Sequence, residues 1–200
     1  MASEEQPVQT LTKSAYLELL LKQFDKLPDN DRNLFTYGPM YLGGNAALAG
    51  LLANSFWRRA LNVRQGHIVS SLPMATLPFL TTAVLYNAAV SNPLLMGDIN
   101  CPTCVVTRGF LVGLIGGGVY PLFLALPVSA GLAARYSTAP MPEKGNIIRH
   151  WIAVSRPIVK RMAFVFVLQG FFGAYLSSRH FDIYLKLLKS VDIRLEDLHD

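Results

Sequence analysis

Along the chain, long stretches without charge alternate with short polar, mostly basic ones. No Asp, Glu, Lys or Arg lies between Arg32 and Arg58, between His67 and Asp98, between Arg108 and Arg135, or between Arg161 and Arg179. A helix needs roughly 20 mostly apolar residues to cross about 30 Å of hydrocarbon. The first three gaps reach that length. The fourth, with 17 uncharged residues, falls slightly short, and Arg161 and Arg179 can snorkel outward to extend it. The pattern predicts an all-α, polytopic membrane protein with four transmembrane helices, near residues 37–56, 68–90, 110–133 and 162–178. Tyr37, Tyr41 and Trp57 flank the first span, where aromatic rings favour the membrane interface. The fourth has an alternative start near Trp151, after a break at Pro157. A soluble bundle of buried core helices is the competing reading, but such helices have apolar runs of roughly 10–14 residues.

The ends carry a different pattern. Leu17, Leu20, Leu21, Phe24 and Leu27 recur at helical spacing beside Lys13, Lys22 and Lys26. This predicts an amphipathic N-terminal helix at a membrane surface or against a partner. Pro28, Asp29, Asn30 and Asp31 end it. In the tail, Phe181, Tyr184, Leu185, Leu188, Val191, Leu195 and Leu198 fit one helical face. That face reads either as a continuation of the fourth helix or as a partner-binding helix. The chain divides into a polar and amphipathic segment (1–36), a transmembrane domain (37–178) and a helical tail (179–200).

Small residues mark the spans. Gly109, Gly113 and Gly117 recur at intervals of four, and Gly43, Ala46, Ala47 and Gly50 repeat the theme in the first span. Such a stripe lets another helix approach closely, either within the bundle or from a partner docking on Gly109, Gly113 and Gly117. Pro73 and Pro78 are expected to interrupt the second span, and Pro121 and Pro127 the third. Asn45, Asn54, Asn87 and Gln169 are the polar groups at depth. They suit interhelical hydrogen bonds, and they are the residues a small-solute transporter or channel would have to gather around one cavity. No acidic or basic residue lies deep in a span, which argues against a proton relay.

Composition agrees with lipid as the solvent. The chain is 52% hydrophobic and 16% charged, against roughly 25% charged in soluble domains. This excludes disorder and argues against a soluble enzyme. The net charge of +5 points either to nucleic acid or to membrane topology, and its placement decides. Arg58, Arg59 and Arg64 follow the first span, and Arg135, Lys144, Arg149, Arg156, Lys160 and Arg161 follow the third, while the second loop holds only Asp98 and Arg108. By the positive-inside rule, loops 57–67 and 134–161 face the cytoplasm or matrix, and both termini and the Cys101 loop face the other side. The basic loops can also meet anionic lipid head groups. No nucleic-acid motif is present.

Cys101-Pro102-Thr103-Cys104 is the one motif-like element. Three readings stay open for it: an inert local pair, a disulfide bracing the loop, or redox or metal chemistry. A zinc site would need further N or S ligands, and His67, His150, His180 and His199 show no ligand spacing. His150 beside Trp151 reads as an interfacial pair. Gly116, Gly117 and Gly118 sit in an apolar helix and cannot cradle a phosphate. No catalytic or cofactor motif is found.

Several stretches resemble the transmembrane protein 126 family. They are Arg32-Asn33-Leu34, the run from Tyr41 to Leu51 (YLGGNAALAGL), Arg58-Arg59-Ala60-Leu61-Asn62-Val63, and the run from Ser71 to Thr82 (SLPMATLPFLTT). Cys101 and Cys104, the run Gly131-Leu132-Ala133-Ala134-Arg135-Tyr136, and Lys144-Gly145-Asn146 complete the set. The resemblance covers about residues 28–178 and is closer to the A branch of the family than to B. It implies a multi-pass protein of the mitochondrial inner membrane that helps to assemble respiratory complex I, with membrane-arm subunits and other assembly factors as partners. It carries no catalytic residues or cofactors. The lack of an arginine-rich presequence agrees with import directed by internal segments.

Overall fold

The computed structural model describes Leu20, residues 22–138 and residues 147–196. Most of the expected N-terminal amphipathic helix, including Lys13, Leu17 and Leu21, lies outside these, as do the side chains of Leu195 and Leu198. Among the described residues there is no strand. Four long helices form the molecule: α1 Asp29–Ala60, α2 His67–Leu95 and α3 Pro102–Tyr136, and α4 Ile147–Glu196.

Local chemistry sets the ends. Pro28 precedes α1, and Asp29 and Asp31 occupy its first turn, where the helix dipole favours negative charge. Its other end is a Schellman motif. Asn62 takes a left-handed conformation (φ 53°), and the N–H groups of Asn62 and Val63 bond the Arg59 and Arg58 carbonyls. The same pattern ends α2 at Gly97 (φ 72°) and α3 at Ser137 (φ 50°). Thr138 Oγ1 then donates to the Leu61 carbonyl at 3.2 Å, tying the end of α3 to the end of α1.

The prolines do not interrupt the helices as expected. α1 runs through Pro39, α2 through Pro73 and Pro78, α3 through Pro127 and α4 through Pro157. One freed carbonyl is met from another helix, and another is given room by a glycine. Pro93 brings no N–H to the Ala89 carbonyl, and Arg108 donates to that oxygen at 3.4 Å. Pro78 brings none to Met74, whose carbonyl faces α1 where Gly50 leaves room. Wider π turns relieve the chain at Asn87–Ser91 and Val112–Val119.

The helices run alternately up and down. At one end Leu61, Val63 and Ala133 pack with Trp151, joining the C-termini of α1 and α3 to the start of α4. At the other, Phe35, Tyr86, Leu94, Val105, Leu176 and Leu187 form the largest core cluster. α4 enters that cluster through Ile183, Tyr184, Leu187 and Val191. The tail is therefore the same helix as the fourth span, with no break at residue 179. Its buried face is rotated from the one expected, since Leu185 points outward. Much of the expected loop 134–161 is likewise helix, because α4 begins at Ile147.

Two of these helices, α2 and α3, are long and apolar enough to cross a membrane, rather than the four expected. α1 is diluted by Gly43, Gly44, Asn45, Gly50 and Asn54. In α4 the short apolar run is bracketed by Arg161 and Arg179 and holds Gln169 at its middle.

Candidate functional site

The glycine stripe of α3 faces inward, against α4. A Cβ on Gly113 would collide with the Gln169 carbonyl, and one on Gly109 with Ser177 Oγ and, at 2.6 Å, the Gly173 carbonyl. α4 answers with its own small residues. A Cβ on Gly173 would strike the Gly109 carbonyl, and one on Gly170 would lie 2.7 Å from the Phe110 ring. Gly117 is less constrained, 3.4 Å from the Gln169 side chain by the same measure. The contact between α3 and α4 is thus a small-residue seam, and of the two uses open in the sequence, internal packing is the one this stripe has here. α1 meets α2 similarly. A Cβ on Gly43 would come within 2.7 Å of the Phe79 carbonyl.

At the end where α1 and α3 finish, the three arginines expected to act alike separate. Arg58 is buried and clamps the α1–α2 turn. It donates to the carbonyls of Gln65 (2.9 Å), Arg64 (3.1 Å) and Gly66 (3.4 Å) and to Ser70 Oγ (3.0 Å). Asn54 Nδ2 reaches the same Ser70 at 3.2 Å. Arg58 is therefore a structural clamp, not a surface charge for lipid. Arg59 and Arg64 are exposed. With Ser55, Asn62 and His67 they line a polar cavity of about 440 Å³. An apolar groove of about 700 Å³ lies at the same end, between Trp57, Leu122, Phe123, Trp151 and Ile152, with Arg156 on its lining. Trp57 Nε1 donates to the Leu122 carbonyl at 3.2 Å. His150 and Trp151 meet edge to face, their ring centres 5.8 Å apart.

The opposite end holds a buried polar chain that sequence reading missed. His180 Nε2 lies 3.2 Å from the Leu34 carbonyl. A carbonyl only accepts, so Nε2 carries the proton and Nδ1 accepts from Tyr86 Oη at 3.4 Å. Ser177 Oγ then donates to Tyr86 Oη at 3.0 Å. Three helices are joined by this relay. The imidazole reaches α1 only because Gly38 lacks a side chain, since a Cβ there would stand 2.7 Å from Nε2. The ring also stacks on Phe35, 4.6 Å between centres. Nearby, Lys186 Nζ pairs with Asp31 Oδ2 at 2.6 Å. The usable signal was position: His180 shares a helical face with Leu176, Ile183 and Leu187.

Cys101 and Cys104 sit exposed at the start of α3, both as free thiols. Cys101 is the N-cap, and its Sγ accepts the Cys104 N–H at 3.4 Å. Hydrogen bonds from Cys104, its thiol first, hold the Cys101 thiol below the usual thiol range. Donating to Cys101 holds the Cys104 thiol above that range. No group of three or more metal-ligating side chains is found among the described residues.

The four polar residues of the spans do not share one cavity. Asn54 is tied to Ser70 and Ser71, Asn87 is exposed, Asn45 is half-buried, and Gln169 is buried beside Gly117. None of them lines either cavity above.

Outside this framework the molecule is apolar. In α2 only 22% of its most apolar stretch is buried, leaving Ile68, Leu72, Leu80 and Val84 outward. Leu48 and Leu52 on α1 and Phe164, Leu168 and Phe171 on α4 are exposed as well. An antiparallel helical bundle with small-residue seams, two helices able to cross a bilayer and a greasy exterior belongs to the class of helical membrane proteins. Residues 14–193 match the family described as Transmembrane protein 126, and the chain belongs to that family. It is 50% identical over 180 residues to mouse Transmembrane protein 126A, covering 90% of this chain and 92% of the relative. With the human protein of that name it shares 49% over 168 residues, 84% of this chain and 86% of the relative. The mouse protein named Complex I assembly factor TMEM126B, mitochondrial, is 32% identical over 166 residues, 83% of this chain and 71% of the relative. No solved structure matches the chain.

Proposed function

We propose that this chain is a non-enzymatic assembly factor of the mitochondrial inner membrane that holds membrane-arm subunits or intermediates of respiratory complex I through helix–helix packing. The observation that carries this reading is the family relationship to proteins named as mitochondrial complex I assembly factors. All four helices lie in the bilayer in this reading. α1 and α4 are packed along α2 and α3 and turn their own apolar side chains, Phe164 at 74% exposure among them, to the same exterior. Water at that exterior would wet Leu48, Leu52, Leu72, Leu80, Phe164, Leu168 and Phe171 together, and soluble monomers rarely expose large apolar patches.

The basic end, with Arg59, Arg64 and Arg135, faces the matrix, and the end with Cys101 and both termini faces the intermembrane space. Since the seam of Gly109 and Gly113 is filled by α4, holding runs through outward faces, in exchange with membrane lipids and other assembly factors. The test is complexome profiling of mitochondria from cells that lack the chain and from the same cells re-expressing it. The expected result is loss of mature complex I with accumulation of membrane-arm intermediates, reversed on re-expression, and co-migration of the tagged chain with those intermediates. Normal complex I in its absence would overturn the reading.

A further inference from the structure

We propose that Cys101 and Cys104 are a redox-active dithiol at the rim of the bundle, with Cys101 as the attacking thiolate and Cys104 as the resolving thiol toward disulfide substrates. The proposal rests on the geometry of the pair, stands independently of the assembly role, and adds thiol–disulfide exchange to a chain whose holding of subunits is non-enzymatic.

Three observations meet here. First, the C-x-x-C spacing spans the first turn of a helix, which places residues three apart on one side. Second, the backbone at Cys101 is extended (φ −99°, ψ 119°), so its side chain turns back over the helix start, where Sγ accepts the Cys104 N–H. Pro102 at the first helical position has no N–H of its own and presets the turn. A thiolate in that place meets the positive end of a 35-residue helix. Third, both cysteines are exposed and free, so a substrate disulfide can reach them. The nearest basic group on the helix, Arg108, is one turn beyond Cys104 and also favours its anion.

The chemistry balances without a further reagent. The Cys101 thiolate attacks one sulfur of a disulfide R–S–S–R′, forming Cys101–S–S–R and releasing R′–S⁻, which takes a proton. Cys104 loses its proton and attacks Cys101 Sγ, closing the Cys101–Cys104 disulfide and releasing R–S⁻, which is protonated in turn. The pair gives up two electrons and two protons, and the substrate disulfide becomes two thiols. The reverse sequence delivers a disulfide. Glutathione disulfide and an exposed cystine of a neighbouring protein share this chemistry.

The test uses the full chain in nanodiscs. Equilibration in glutathione buffers of graded ratio, followed by maleimide mass tagging, should show the pair passing reversibly between dithiol and disulfide. In single variants at neutral pH, Cys101 in Cys104→Ser should form the glutathione adduct faster than Cys104 in Cys101→Ser. Each variant removes the partner thiol, so the difference reads the backbone N–H and helix end at Cys101, at about threefold for each unit that still separates the two pKa values. In intact mitochondria, Cys104→Ser should trap a mixed disulfide on Cys101, whose added mass shows whether its source is glutathione or a protein. Equal rates for the two single variants, no internal disulfide at any ratio, a disulfide that stays closed in excess reduced glutathione, or no trapped adduct would each overturn the proposal.

Discussion

A residue's type does not settle its role here, and Arg58 shows why. At the end of an apolar run an arginine reads as an interfacial charge. The left-handed turn at Asn62 instead folds the next residues back over its guanidinium, and three carbonyls and Ser70 take up its Nη1 and Nη2 groups. That depends on a return of the chain which local spacing does not announce. Replacing Arg58 with Ala leaves the buried Ser70 hydroxyl and three partly buried carbonyls without this donor, so thermal unfolding in detergent should show a loss of about 1–3 kcal/mol. Arg59→Ala, at an exposed position, should stay within about 0.5 kcal/mol. His180 was legible in part, since it sits on the apolar face of its helix. Its partners come from α1 and α2, far away in sequence. His180→Phe keeps the ring but removes the bonds to Tyr86 and Leu34, and about 1–2 kcal/mol should be lost. Adding Tyr86→Phe should cost less than the two single changes summed, because both act on one relay.

For the elements, the uncharged gaps announced four helices, and four long helices are present. Their limits were harder to read. The proline pairs suggested breaks, yet the helices run on through Pro73, Pro78 and Pro127, and at Pro93 the Arg108 side chain meets the freed carbonyl. The tail seemed separable because charge returns at Arg179, but its apolar positions stay in phase with the span before it and pack into the same core. The glycine stripe was plain in the sequence, whereas its partner was not, because Gly170 and Gly173 are two small residues among many. In lipid there is little hydrophobic drive between helices, so close packing holds them, and a methyl group in the seam should act strongly. Gly113→Ala forces α3 and α4 apart at the Gln169 carbonyl and should destabilise by about 1–3 kcal/mol. Gly131→Ala on the same helix enters open space. It should be neutral or stabilise by up to about 1 kcal/mol through helix propensity. Thermal melts of both variants in one detergent compare the two directly.

As a whole, the molecule is a bundle with chemically distinct ends. α4 alone is about 75 Å long at 1.5 Å per residue, more than a hydrocarbon layer of about 30 Å holds, and the central place of its uncharged run puts the excess on both sides. Its charged ends, with Arg149, Arg156 and Lys160 before the apolar run and Arg179, Asp182 and Lys186 after it, suit that placement. The central claim is that α1 and α4 share the bilayer with the two more apolar helices. The most direct measurement is labelling of single-cysteine variants by a membrane-impermeant maleimide, in a Cys101→Ser/Cys104→Ser background, in mitoplasts before and after the inner membrane is opened without detergent. Cysteine at Leu48 on α1 and at Phe164 on α4 should remain unlabelled in both conditions, while cysteine at Asn62 becomes labelled once the membrane is opened. Ready labelling at Leu48 and Phe164 would place these helices in water and contradict the four-span bundle.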